Sequence, residues 1–290
     1  MSTPASTSAS TSASTSASTS AYPPETVEGW YALHQIYRLN AGALRATPAA
    51  ERSALKSRAV EALDALATPV EGGWSAVAEL TGSVADVMLV HFRPTLPALR
   101  LAQRRVECEP LFDRFEPVYS FLSVTEAGLY HLTATIAAER AAAGGAFGDA
   151  EYKATMAARI ESERASPFVE RRLFPPLPAD MPFMSFYPMS KRRAVGQNWY
   201  ALTLEERSRL MHAHGLTGRR YAGRVQQVIT GAIGLDAWEW GVTLFARDPM
   251  EFKRLVTDMR FDEVSAQYAE FGTFYVGEIV RPAEWVERLP

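Results

Sequence analysis

The apolar pattern changes period several times along the chain, and each change marks an element. Residues 30–37 (Trp-Tyr-Ala-Leu-His-Gln-Ile-Tyr) are aromatic-rich and read as a strand. Residues 48–66 have helical spacing in an Ala- and charge-rich stretch, and Pro69 follows. Residues 73–80 and 85–92 read as strands joined by Thr81-Gly82-Ser83. An amphipathic helix over 95–108 and a strand over 118–124 complete the order β-α-β-β-α-β. The second half repeats it. Residues 181–188 form a strand, and 203–214 a helix opened by the capping box Thr203/Glu206. Strands at 225–233 and 238–245 flank Gly234-Leu235-Asp236-Ala237, and a helix over 248–260 precedes a last strand at 271–279.

This pattern predicts an α+β fold of two tandem ferredoxin-like modules. Their sheets either pack face to face or close into a dimeric α+β barrel, with a ligand cavity between sheet and helices. The expected division is a tail at 1–24, a first module at 25–132, a helical insertion and linker at 133–171, and a second module at 172–290. Residues 5–20 are four identical copies of Ala-Ser-Thr-Ser, a composition that buries too little surface to fold, so the tail is expected to be disordered.

Composition narrows the function. The 290 residues carry 30 Lys+Arg against 33 Asp+Glu, a net charge of −3, which argues against a nucleic-acid binder. The longest uncharged run beyond the tail, 127–138, is too short to span a bilayer. A single cysteine, Cys108, excludes an internal disulfide framework and any cysteine-based zinc or iron–sulfur site within one chain, and points to the cytoplasm. Nucleophile-elbow, phosphate-loop, zinc-helix and dinucleotide motifs are all absent.

Two histidines end the helix over 203–214. His214 falls on the apolar stripe of Leu204, Leu210 and Met211, whereas His212 shares the polar face with Glu205 and Arg209. Two positions apart, they do not chelate one metal from a regular helix. Gly215 marks the expected helix end. An imidazole placed like His214 is compatible with a haem ligand, an acid/base or a hydrogen-bonded core histidine, and position alone favours the last. Cations cluster at Arg171-Arg172, at Lys191-Arg192-Arg193 after Tyr187, and at Arg219-Arg220. In a chain of near-zero net charge, such clusters suit an anionic small molecule, although Arg192, Arg193 and Arg219 read as surface charges. Strand alternation places Glu239 opposite Trp238 and Trp240, with Trp240 in the core.

Several runs resemble the chlorite dismutase-like superfamily, and within it the coproheme decarboxylases. They are Tyr187-Pro188-Met189-Ser190-Lys191-Arg192-Arg193, Asn198-Trp199-Tyr200, His214-Gly215 with Gly218-Arg219-Arg220-Tyr221-Ala222-Gly223, Gly234-Leu235-Asp236, residues 238–245 and residues 259–265. The likeness runs from about Glu25 to the C-terminus and is densest over 172–280. It implies a homopentamer of two-module subunits with a porphyrin pocket in the second module. His214 would ligate iron, Tyr187 would form the catalytic radical, and Arg172, Lys191, Ser265 and Arg260 would hold propionates. Pro188, Met189 and Ser190 would line the pocket, and Gln227 would stand on the distal face, where chlorite dismutases place an arginine. The implied reaction uses hydrogen peroxide to convert two propionates of iron coproporphyrin III to vinyls, giving haem b. A transient contact with ferrochelatase follows from pathway logic. The alternatives are a haem peroxidase, a chlorite dismutase-like enzyme, or a non-enzymatic haem carrier or sensor.

Overall fold

The computed structural model describes residues 22–290, and the Ala-Ser-Thr-Ser repeats lie outside them. Of the expected tail, Tyr22 is packed: its ring stacks on Phe147 with centroids 3.8 Å apart, and its carbonyl accepts from Arg207. The first module runs β1 (Thr26–Leu39), α1 (Ala41–Ala46), α2 (Ala49–Ala67), β2 (Trp74–Leu80), β3 (Val87–Arg93), α3 (Leu96–Glu107) and β4 (Phe115–Gly128). Three helices follow, α4 (Tyr130–Ala142), α5 (Ala150–Arg164) and α6 (Pro167–Leu173). The second module is β5 (Phe183–Lys191), α7 (Leu204–Arg219), β6 (Val225–Gly231), β7 (Trp240–Ala246), α8 (Met250–Arg260), α9 (Glu263–Tyr268), β8 (Ala269–Phe271) and β9 (Tyr275–Val280). Helix α10 (Pro282–Arg288) ends the chain.

All strand pairings are antiparallel. Within each module the spatial order is ferredoxin-like, β4-β1-β3-β2 in the first and β9-β5-β7-β6 in the second. The modules join at both edges, β4 to β6 and β2 to β9, so eight of the nine strands close into a barrel. At the second seam Gly277 allows close approach, because a Cβ there would lie 2.2 Å from the Glu79 carbonyl oxygen. The expected α+β barrel is thus realised as a closed ring.

Alternation along the strands sorts side chains into three layers. Inward residues from both modules, including Ile36, Trp74, Phe92, Phe121, Phe186 and Phe245, fill the barrel. The outer face of the first module is covered by α2, α3 and α10, with Leu63, Leu66, Val106 and Trp285 buried on it. The outer face of the second module carries α8 over Val242 and Leu244, packed by Phe252 and Leu255. Helix α7 packs chiefly on α4, α8 and α9.

Three expectations need correction. Helix α7 does not stop at Gly215 but continues to Arg219, because neither Gly215 nor Gly218 adopts positive φ. Strand β7 starts at Trp240, and it is Glu239 that is buried, whereas Trp240 is half-buried. The reason is pairing: the Glu239 carboxylate accepts from the Lys191 N–H at 2.6 Å, and the Trp240 indole donates to Glu126 at 2.9 Å. The strand expected over 271–279 is broken into β8 and β9, with α9 ahead of them. No helix among the described residues is long and apolar enough to cross a membrane.

Candidate functional site

Register sets the floor of the site. Three rows cross β6, β7 and β5 on the outer face: Gln227, Leu244 and Ser185; Ile229, Val242 and Tyr187; Gly231, Trp240 and Met189. Lys191 continues the Tyr187–Met189 line, so Tyr187, Met189, Lys191 and Gln227 share one face. Pro188 and Ser190 alternate to the other side of β5. Pro188 packs against Gly272, and the Ser190 hydroxyl accepts from the Glu239 N–H at 3.3 Å. The structure does not bring these two to the shared face.

Helix α7 supplies the imidazole. The Thr203/Glu206 capping box holds its start, and His214 sits half-buried near its far end, while His212 is exposed as expected. His214 Nδ1 lies 2.8 Å from Asp262 Oδ2. Burial raises the Asp262 carboxyl, but its hydrogen bonds with His214 and with the Ser265 backbone and hydroxyl outweigh this and hold it below its ordinary value. Asp262 is therefore an acceptor, Nδ1 carries the hydrogen, and the Nε2 lone pair is left over. Ser265, buried in the first turn of α9, stands behind Asp262 and donates its N–H to Oδ1 at 2.9 Å.

Tyr187 is buried in an aromatic sleeve, stacked on Phe274 with centroids 4.2 Å apart and 5.8 Å from Phe271. Burial pushes its phenol well above the ordinary value, partly offset by Arg260, so the hydroxyl keeps its hydrogen at neutral pH. Arg260 lies over the Phe271 ring, 4.1 Å from its centroid. Lys191 Nζ lies 4.5 Å from the Trp199 centroid, and burial pulls its ammonium down to about 8 against the opposing carboxylates of Asp262 and Glu239. Arg172, on α6, is exposed and lies 5.9 Å over the Phe168 ring. Among the described residues, none of Lys191, Arg172 and Arg260 has a carboxylate within ion-pair distance. By contrast Arg193, expected at the surface, is exposed and faces Glu239 at 3.8 Å.

Around these groups a set of apolar side chains is only half-buried, Phe183, Met189, Ile229, Met259, Phe271 and Phe274 among them. At the far end Gly218 lets α7 approach the floor: a Cβ there would meet Met259 Cε at 3.3 Å and Gln227 Nε2 at 3.4 Å. Sequence reasoning missed Asp262, Glu239 and Phe274 as neighbours of the named residues. The one available signal was Asp262 standing three residues before Ser265 in a helix-capping pattern. No cluster of three or more His, Cys, Asp or Glu able to hold a metal occurs among the described residues. The donor set is instead one imidazole, a protonated phenol and unpaired cations around an apolar face, which suits a flat ligand that brings its own metal and several carboxylates.

Fold and site thus comprise a two-module α+β barrel, a histidine–carboxylate pair between α7 and the start of α9, and Tyr187, Lys191 and Gln227 on one face of the second module's strands. A family model described as chlorite dismutase matches residues 54–280, and the chain belongs to this family. It is 35% identical to a heme-binding protein from Thermus thermophilus, over 93% of this chain and 98% of that one, with a TM-score of 0.78. A mutant chlorite dismutase from Candidatus Nitrospira defluvii is 16% identical, over 91% and 96% of the two chains, with a TM-score of 0.67. The chlorite dismutase from that organism in complex with imidazole is 15% identical over 90% and 95%, also at 0.67. These last two likenesses speak for the fold.

Proposed function

We propose that this chain binds iron coproporphyrin III and converts two of its propionates to vinyls with hydrogen peroxide, releasing haem b. The observation that carries this reading is the shared face on which a protonated, buried Tyr187 lies near Arg260 and two residues from Lys191, neither cation having a carboxylate within ion-pair distance among the described residues. The 35% identical heme-binding protein supports porphyrin as the ligand class.

His214 would hold the substrate's iron through Nε2, with Asp262 fixing the ring and strengthening the imidazole as a donor. Lys191, Arg172 and Arg260 would take propionate carboxylates, and Ser265 would act through Asp262 or at a propionate. Met189 and the half-buried aromatics would cover the macrocycle, and Gln227 would face it from the strand side. The bound iron supplies activation of peroxide. Tyr187, oxidised to its radical, takes a hydrogen from the propionate β-carbon and so recovers its phenol. Loss of a further electron expels CO2 and leaves the vinyl. Each round balances: one propionate, one peroxide and one proton give one vinyl, one CO2 and two waters.

Chlorite dismutase activity is the competing reading, favoured by the family match. Gln227, a neutral amide at the distal position, argues against it. The same proposal includes a cytoplasmic ring of five copies and a transient ferrochelatase contact. The test is incubation of purified protein with iron coproporphyrin III and stepwise peroxide, followed by mass spectrometry. The expected product is haem b through a three-propionate intermediate. Oxygen evolved from chlorite with the porphyrin unchanged would overturn the reading.

A further inference from the structure

Glu239 has no part in the chemistry described above, yet its side chain is buried beside Lys191, with 7% of the residue exposed. The β5–β7 ladder ends at the neighbouring Met189–Trp240 pair. Glu239 extends that pairing. Its N–H donates to the Met189 carbonyl at 3.1 Å and to Ser190 Oγ at 3.3 Å, and its carbonyl accepts from the Ala232 N–H at 2.7 Å. Its Oε2 then accepts from the Lys191 N–H at 2.6 Å, so a side chain stands in for the next rung of the ladder. On its other edge Lys191 pairs with Ala269 of β8, and the lysine backbone is held from both sides.

The carboxylate also acts through its charge. Around it stand Arg193, 3.8 Å from Oε1 on an exposed side chain, and the phenols of Tyr130 and Tyr200, which burial raises and Glu239 raises further, so both keep their hydrogens. The remaining charged neighbour is the Lys191 ammonium, resting on the Trp199 ring. Two carboxylates oppose the effect of burial on that ammonium, Asp262 at the start of α9 and Glu239. Asp262 is engaged elsewhere, with Oδ2 at His214 and Oδ1 on the Ser265 N–H. Glu239 Oε2 is bonded to Lys191 itself. Among the described residues neither carboxylate comes within ion-pair distance of Lys191 Nζ.

We propose that Glu239 is a positioning residue for the ligand's carboxylates, anchoring Lys191 by its backbone and keeping the side-chain ammonium charged without tying it up. The inference rests on the porphyrin reading above and adds to it a residue which that reading leaves out. Each half has its physical reason. A buried ammonium with no carboxylate near it sheds its proton, and a neutral amine holds a propionate poorly. An ammonium in direct contact with a buried carboxylate would have to break that pair before it could take a propionate. Glu239 avoids both by bonding the backbone N–H of Lys191 rather than its Nζ.

The test uses the full chain, ligand-free and labelled with ¹³C-lysine, whose signals come from Lys56, Lys153, Lys191 and Lys253; the one missing in Lys191→Ala is assigned to Lys191. Its titration midpoint is expected at about 8 in the wild type. In Glu239→Gln, which keeps an acceptor for the backbone N–H but no charge, it should lie about one pH unit lower. Absorbance titration with metal-free coproporphyrin III across neutral and alkaline pH should show the fall in affinity moving by the same step. Adding Glu239→Gln to Lys191→Ala should move nothing. A purely structural role would leave both midpoints in place. Should Glu239→Gln fail to fold, Glu239→Asp, its carboxylate drawn back by one methylene, is expected to lower the Lys191 midpoint by a smaller step. A midpoint that stays at the wild-type value or rises would overturn the proposal. A wild-type chain that takes up no coproporphyrin at any pH would overturn the porphyrin reading, and the ligand named here with it, whatever the midpoint.

Discussion

The two modules share one strand order, yet their outer faces have been put to different uses. Sixteen apolar residues are buried on the first face and four more pack half-buried against them. On the second face eight are buried and eight are left half-buried. The covering helices account for the contrast. Helix α2 lies on β2, and α10 closes the remaining gap with Trp285, whereas α7 packs chiefly on its neighbouring helices. Polar groups follow the same division. In the first module Arg93 and Ser75 bond one another and the end of α2, while in the second, among the described residues, neither Lys191 nor Arg260 has a carboxylate within ion-pair distance. One ferredoxin-like unit buries its outer face under its helices, and its twin keeps a half-covered apolar face.

The largest test of that contrast is Tyr187→Phe. The ring and its stacking survive, so porphyrin affinity measured by absorbance should change little, while haem b should fall below detection by mass spectrometry. Next, Trp285→Ala should cost about 3–5 kcal/mol of stability in denaturant unfolding, as expected for a buried aromatic. Phe274→Ala, on the half-buried face, should cost less than about 2 kcal/mol and weaken porphyrin binding instead. Equal losses would erase the distinction between the faces. Asp262→Asn keeps the α9 cap but removes the charge behind His214, and should lower iron-porphyrin affinity or turnover about 10–100-fold.

The smallest effect concerns pH. Lys191 loses its ammonium as pH rises through about 8 in the ligand-free protein, so affinity for a carboxylate-bearing porphyrin should fall above that pH. Lys191→Ala should bind roughly tenfold more weakly at pH 7 and lose that part of the pH dependence. A fall of the same steepness in the variant would remove Lys191 from the site.

Much of this architecture is legible in the chain. Short apolar runs at 85–92 and 225–233 beside turn residues locate strands, and Thr203 with Glu206 fixes the start of α7, because these signals are local. What escapes is set by contacts across the fold. Gly215 looks like a helix stop, but α7 is braced by α4, α8 and α9 and runs on. Burial of Glu239 depends on a backbone N–H of β5, 48 residues away, and Asp262 meets His214 across the same separation. Within the Tyr187-to-Lys191 run, the sequence likeness groups neighbours that the strand then deals to opposite faces, which is why Pro188 and Ser190 part from Tyr187, Met189 and Lys191.

The central claim is decarboxylation by Tyr187 on the open face of the second module. Iron coproporphyrin III labelled with ¹³C in its propionate carboxyls, mixed with excess protein and titrated with peroxide, tests it most directly. The account predicts two labelled CO2 per porphyrin from the wild-type chain and none from Tyr187→Phe. Recovery of the porphyrin with all four carboxyls, or equal CO2 from both proteins, would contradict it.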